Sequence, residues 1–258
     1  MRTSLRALRI SLLCAGVLLT GTAFAVEANL EANASSLSAG FGTQDSQLLL
    51  LKWVDNAQSL TQLLIERKRA FGERASIVSA SHAWDASELD RVSVALAASD
   101  ASTIAARWRV DGQYSRKLGA RREVVASLGA FVSSTADGHR DRSAIASAAW
   151  YFAERQVVEG GVRIARSDPG AQTAVRAFAV YHWGTQGQDT LSVRAEAGRE
   201  AYQSLGGTVA VADFASQELA LTWRRWLAPG VGFGVNAAAY ANPTYRKTTL
   251  GVVGFFDF

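Results

Sequence analysis

The chain has 258 residues, with 27 basic and 23 acidic side chains, 48% hydrophobic residues, three prolines and one cysteine. A single thiol cannot form an internal disulfide, so the chain must be held by a large core or by extensive backbone hydrogen bonding. The basic excess sits mostly at the N-terminus and largely disappears if that segment is removed.

Arg2, Arg6 and Arg9 form a basic region, and Ile10 to Ala25 is apolar or small, closing on Ala23-Phe24-Ala25. That layout predicts a secretory signal peptide over residues 1–25, cleaved after Ala25. A lipoprotein signal acylating Cys14 does not fit, because Leu13 stands where a small residue is needed. A membrane anchor fails on length, since a helical span needs about 20 apolar residues. With the signal gone, three of the 27 basic residues leave; 24 face 23 acidic ones, a net charge of about +1. Cys14 leaves as well, so residues 26–258 offer no thiolate ligand. Near-neutral charge gives no reason to expect a nucleic acid partner.

The rest reads as apolar–polar alternation in segments of about ten residues, the length of a transmembrane strand. In chain order the predicted strands are Leu30–Phe41, Gln47–Val54, Ser59–Arg69, Ala75–Trp84, Asp90–Ala98, Ala105–Arg116 and Glu123–Ser133. They continue as Arg142–Phe152, Val157–Arg166, Gln172–Trp183, Thr190–Arg199, Phe214–Trp226, Val231–Ala241 and Arg246–Phe258. Gln58–Ala70 and the Ala-rich Ala95–Trp108 could also be helical; the flanking pattern favours strands, and strand propensity yields to context.

Segments ending in an aromatic residue and a short polar turn recur at Trp53, Trp84, Tyr151 with Phe152, Trp183 and Trp226. Hairpin spacing puts these turns on one rim, where the aromatics fit an interfacial girdle. The opposite connections read as longer loops: Ser99–Thr103, Ser134–Asp141, Ser167–Ala171 and, longest, Ala201–Asp213. Short periplasmic turns and longer outer loops are the asymmetry of outer-membrane barrels. The expected fold is therefore all-β: an antiparallel up-and-down transmembrane barrel of about 14 strands, with 12 and 16 as neighbouring even counts. A soluble β-sandwich is the alternative.

An arginine or lysine facing lipid at mid-depth costs about 2–4 kcal/mol, so the charged face of each strand must point inward. The predicted lumen lining is Arg107, Arg109, Asp111, Glu159, Arg163, Arg176, Arg194, Glu196, Glu218 and Arg224. These mixed charges either pair to fill and stiffen the lumen or line a wet pore for a polar solute. Neither reading is singled out by the sequence.

No nucleophile, phosphate loop or metal-ligand constellation stands out, so no enzyme activity, cofactor or metal is expected. The histidines are His82, His139 and His182. His139, between Asp137 and Asp141, could serve a rim protease or bind a metal; surface loops rich in Asp, Gly and Arg are more often solvated connections. The last strand alternates Leu250, Val252, Phe256 and Phe258 on one face.

Ala39-Gly40-Phe41, Ile65-Glu66-Arg67 running into Phe71-Gly72, Ser81-His82 before Trp84, and Leu227-Ala228-Pro229-Gly230 resemble the YaiO family of outer-membrane β-barrels, as does the terminal aromatic strand. The chain departs from the pattern at Ala75, where an acidic residue is expected. The resemblance implies a bacterial outer-membrane location and contact with its lipid. It also implies association with polysaccharide synthesis or export proteins, and carries over no active-site residue. Likeness to outer-membrane proteins at large implies that Phe256 and Phe258 address the barrel-assembly machinery. Two functions follow as expectations: a pore or accessory component for export of exopolysaccharide or another polar solute, or a sealed structural or receptor barrel binding partners or phage through its outer loops.

Overall fold

The computed structural model describes residues 26–100, 103–206 and 210–257; the expected signal peptide and Phe258 lie outside them. Fourteen strands fill this range: β1 Val26–Leu37, β2 Thr43–Asn56, β3 Ser59–Ala70, β4 Glu73–Asp85, β5 Asp90–Ser99, β6 Ala106–Leu118 and β7 Val124–Thr135. The second half is β8 Arg140–Ala153, β9 Gln156–Asp168, β10 Gln172–Gly184, β11 Asp189–Ser204, β12 Ala210–Ala228, β13 Val231–Ala241 and β14 Arg246–Asp257. Each strand pairs antiparallel with its sequence neighbour, and β1 pairs β14 from Glu27–Asp257 to Leu37–Lys247, closing the barrel. Closure leaves no unpaired edge, a condition for spanning lipid with strands.

Alternation decides which face is which. Leu30, Leu96, Leu128, Ile164, Leu219, Leu250 and Val252 are all exposed, and each faces away from the barrel axis. Register carries that face round the barrel: Leu30 lies opposite Leu49, Leu49 opposite Ile65, and Ile65 opposite Val78. The outer wall is thus a continuous apolar band, and the interior takes the polar partners. Ser59–Ala70 belongs to this pattern as β3, and of the Ala-rich segment Ala95–Ser99 ends β5 while Ala106–Trp108 opens β6; a helix in either place would break the ladder.

β1 begins four residues earlier than the sequence suggested and ends at Leu37, leaving Phe41 in the following loop. Its inward face is Glu27, Asn29, Glu31, Asn33 and Ser35 against small outward alanines, so the hydrophobic signal there is faint. Trp226, grouped with the rim aromatics, instead points inward. Its ring meets Phe255 at 4.7 Å between centroids, and Phe255 is fully buried. A bulge between Trp226 and Ala228 sets this corner. Gly232 makes room for the Phe255 ring, since a Cβ there would come within 2.1 Å of it. Phe255→Ala should destabilise the barrel by about 3–5 kcal/mol. Unfolding by urea in detergent measures it, and a cost below about 1 kcal/mol would show that the corner repacks.

Phe256, on the other face of β14, is outward and exposed. The start of β1 and the end of β14 lie on one rim, called the terminal rim below. Loop lengths differ little between the rims; the expected asymmetry appears as strand overhang instead. β11 and β12 run 16 and 19 residues and project past the far rim.

Candidate functional site

The overhang is the segment read from sequence as the loop Ala201–Asp213. It is a ladder, with Tyr202 opposite Ala212 and Ser204 opposite Ala210. Polar residues and a Gly-Gly tip disguised it as a loop. The hairpin bends at Gly198 (φ 148°) and Asp213 (φ 50°), backbone conformations that L side chains rarely adopt. A Cβ at Gly198 would sit 2.2 Å from the Val175 carbonyl oxygen. Beside the bend, Arg199 Nε donates to Asp213 Oδ1 at 2.8 Å.

From this bend the hairpin crosses the mouth of the barrel, as its partners show. Leu205 is buried with Leu37, Tyr240 and Tyr245, against Phe41, Phe71 and Val211. Gln203 donates to Tyr245 Oη at 2.6 Å, Ser204 to Thr103 Oγ1 at 3.1 Å, and Tyr202 to Asp137 Oδ2 at 2.7 Å. His139 stacks on Tyr202 at 3.7 Å. These partners come from the loops after β1, β3, β5, β7 and β13, so the hairpin covers the opening.

Asp137 is the ionic part of this latch. Burial pushes its carboxyl up, but hydrogen bonds from the Thr135 and Tyr202 hydroxyls and the His139 backbone N–H outweigh that, holding it at about 2. A depressed carboxyl stabilises the latch fully above its ordinary value near 3.8 and loses it as pH falls through about 2. Cover opening, followed as channel conductance, should rise over that window and become pH-independent in Asp137→Asn.

Below the cover lies a chamber of about 340 Å³, floored by Arg109, Arg163 and Arg176 and roofed by Glu200, Tyr202 and Ser204. A second cavity of about 510 Å³ continues the lumen and shares Arg109, Phe131 and Arg163 with it. Between β9 and β11, Glu196 receives three guanidiniums: Arg194 at 2.6 Å, Arg176 at 3.0 Å and Arg163 at 3.7 Å. Arg176 also reaches Glu200 at 2.9 Å, and Tyr240 donates to the same carboxylate at 2.9 Å. Arg194 lies over Phe178 at 4.5 Å, and Arg109 over Phe131 at 3.8 Å while donating to Asp111.

Near the terminal rim, Arg224 and Lys52 both reach Glu27 Oε1 at 3.0 Å, and Arg224 covers Phe255 at 4.0 Å. The structure therefore gathers Arg163, Arg176, Arg194 and Glu196 in one cluster, joins Arg109 to Asp111, and holds Arg224 in another group. Glu159 and Glu218 face inward by alternation without an ion pair among the described residues. Arg107 sits in a bulge between Ala106 and Trp108, exposed and outside the regular alternation. Glu27, Lys52 and Glu200 were missed because they lie outside or at the ends of the expected strands, or in a leucine run that hides the inward face.

Both walls carry both signs. Arg109, Arg163, Arg176 and Arg194 on β6 and β9–β11 stand beside Asp111, Glu196 and Glu200, while Glu31 and Glu66 on β1 and β3 share their side with Lys52 and Lys68. β2 and β9 are seven strands apart in either direction, so these groups face each other across the lumen. His182 lies at the terminal end of the inward face, and His82 is outward, 2.9 Å from Thr61 Oγ1. Among the described residues no three His, Cys, Asp or Glu side chains gather as a metal site.

The architecture is shared with solved channels. The CymD monoaromatic hydrocarbon channel superposes with a TM-score of 0.60 at 7% identity, over 91% of this chain and 87% of that one. A bacterial polysaccharide outer membrane secretin gives 0.57 at 6% identity, over 90% and 98%. An anion-selective porin from Comamonas acidovorans gives 0.51 at 9% identity, over 92% and 99%. At such identities the likeness is one of fold. No curated protein matches the chain. The YaiO membrane beta barrel domain matches residues 26–203. The chain belongs to this family, and its place is the bacterial outer membrane.

Proposed function

We propose that the protein is a gated conduit for a polar, charge-bearing solute, of which an acidic saccharide strand is the best-fitting class. The observation that carries this reading is the lumen beneath the hairpin. Arg109, Arg163 and Arg176 line a chamber together with Glu200, and the chamber is roofed by a cover built from polar and aromatic side chains. A barrel filled for stiffness alone has no need of a separate folded cover. Arginine forks suit carboxylate groups, and the carboxylates of Glu196 and Glu200 beside them keep such a solute from binding too tightly to leave. An accessory role in exopolysaccharide export agrees with the family resemblance.

The test is conductance of the refolded barrel in planar bilayers, with and without the hairpin, and its block by an acidic oligosaccharide against a neutral one of equal length. Block by the acidic chain alone supports the proposal. A lumen that stays non-conducting after removal of the hairpin favours the sealed structural or receptor barrel instead.

A further inference from the structure

The outward face at the far rim carries charge for which the lumen has no use. On β3 the outward column passes from Ile65 to Arg67 and Arg69, and Arg74 of β4 stands directly opposite Arg69. On β8 and β9 the columns pass from Ala144 and Ile164 to Arg142 and Arg166, which are directly opposite one another, with Arg140 one place further out. All six side chains are exposed. Only Arg69 has a carboxylate within reach, Asp45 at 3.9 Å; the other five guanidiniums have no partner among the described residues.

Like charges directly opposite on paired strands are destabilising, and here the arrangement occurs twice at the same level. The terminal rim is handled differently. There Arg116 pairs with Asp90 at 3.3 Å and Arg122 with Glu88 at 2.8 Å. At the far rim Arg199 has Asp213 and Arg140 has Asp168 directly opposite, but the facing pairs Arg69–Arg74 and Arg142–Arg166 have no carboxylate closer than Asp45.

In outer-membrane barrels the terminal rim is periplasmic, so the facing arginine pairs lie at the headgroups of the outer leaflet. The lipid of that leaflet carries phosphates on a sugar headgroup. A guanidinium fork matches phosphate oxygens, and one phosphate between two arginines turns their repulsion into attraction. The geometry points to two lipid sites, one on β3–β4 and one on β8–β9. Each binds a phosphate of the outer-leaflet glycolipid, with the acyl chains lying along the apolar columns below Arg67 and Arg166. Those columns, ending in Ile65 and Ile164, are what a free phosphate could not use.

The full barrel in detergent can be tested by native mass spectrometry and thermal unfolding. The probes are bisphosphorylated lipid A, its dephosphorylated form, phosphatidylglycerol and inorganic phosphate. The wild type should retain lipid A and melt higher with it. The pairs Arg142→Gln with Arg166→Gln, and Arg69→Gln with Arg74→Gln, should each lose one bound copy and weaken retention about tenfold or more. Arg116→Gln should change nothing. Without lipid each paired variant should melt no lower than the parent, because a repulsion has been removed. With lipid A the order should reverse.

Heat-modifiable migration identifies folded variants, and single Arg142→Gln serves if a pair fails to fold. Equal retention by the variants, equal retention of the dephosphorylated lipid, or equal competition by phosphatidylglycerol or inorganic phosphate would overturn the assignment.

Discussion

Replacing residues 200–212 by a short Gly-Ser turn will convert rare openings of the barrel into a sustained, several-fold larger conductance. The hairpin is held by apolar packing of Leu205 and Val211 and by hydrogen bonds to three separate loops. Two such side chains contribute about 3 kcal/mol, enough to keep the cover shut about 99% of the time. The replacement leaves the Arg199–Asp213 pair, so the bend still has a closed base. Leu205→Asp should give an intermediate phenotype, with more frequent openings and an unchanged unit conductance. Equal conductance of the parent and the shortened barrel would mean that the lumen is blocked by its own side chains.

Glu196→Ala should have the second largest effect. It removes the one carboxylate shared by Arg163, Arg176 and Arg194, leaving only Arg176 with another ion-pair partner, Glu200. Breaking a buried pair costs about 3–5 kcal/mol. Arg163 and Arg194 are each more than a third exposed, and lumen solvent screens them, so about 2 kcal/mol is expected. The selectivity change follows from the same charge: the reversal potential under a salt gradient should move toward anions. Glu196→Gln should shift selectivity the same way with less loss of stability, because the amide oxygen can still accept a hydrogen bond. A stability loss without a change in reversal potential would place this cluster off the conducting path.

The barrel itself was legible because lipid enforces alternation. A strand such as Gln156–Asp168, with Val158, Val162 and Ile164 against Glu159 and Arg163, has one arrangement compatible with a membrane. The hairpin turns were legible for a related reason, since few residues suit them. Phe71-Gly72 closes β3 to β4 with both residues at positive φ, as a two-residue hairpin requires. What stayed hidden depends on the third dimension. Leu48 to Leu51 is apolar throughout, so nothing local says that Leu48 and Leu50 face the lumen. Nor does anything in residues 199–213 say that strands continue there and fold inward, because their partners come from loops after β1, β3, β5, β7 and β13. The charge on Glu196 was visible; its three partners, on β9, β10 and β11, were only a list until register brought them to one level.

The ion pair between Glu27 and Arg224 joins groups 197 positions apart in the chain and spans the seam between β1 and β14. It cannot exist while the sheet is still an open ribbon, because β1 and β12 then stand at opposite ends. In a partly inserted chain Glu27 already has Lys52 directly opposite on β2, whereas Arg224 reaches its carboxylate only at the moment of closure. This gives the last step of folding a driving force that no earlier intermediate shares, and it ties completion of the barrel to the second residue of the first strand.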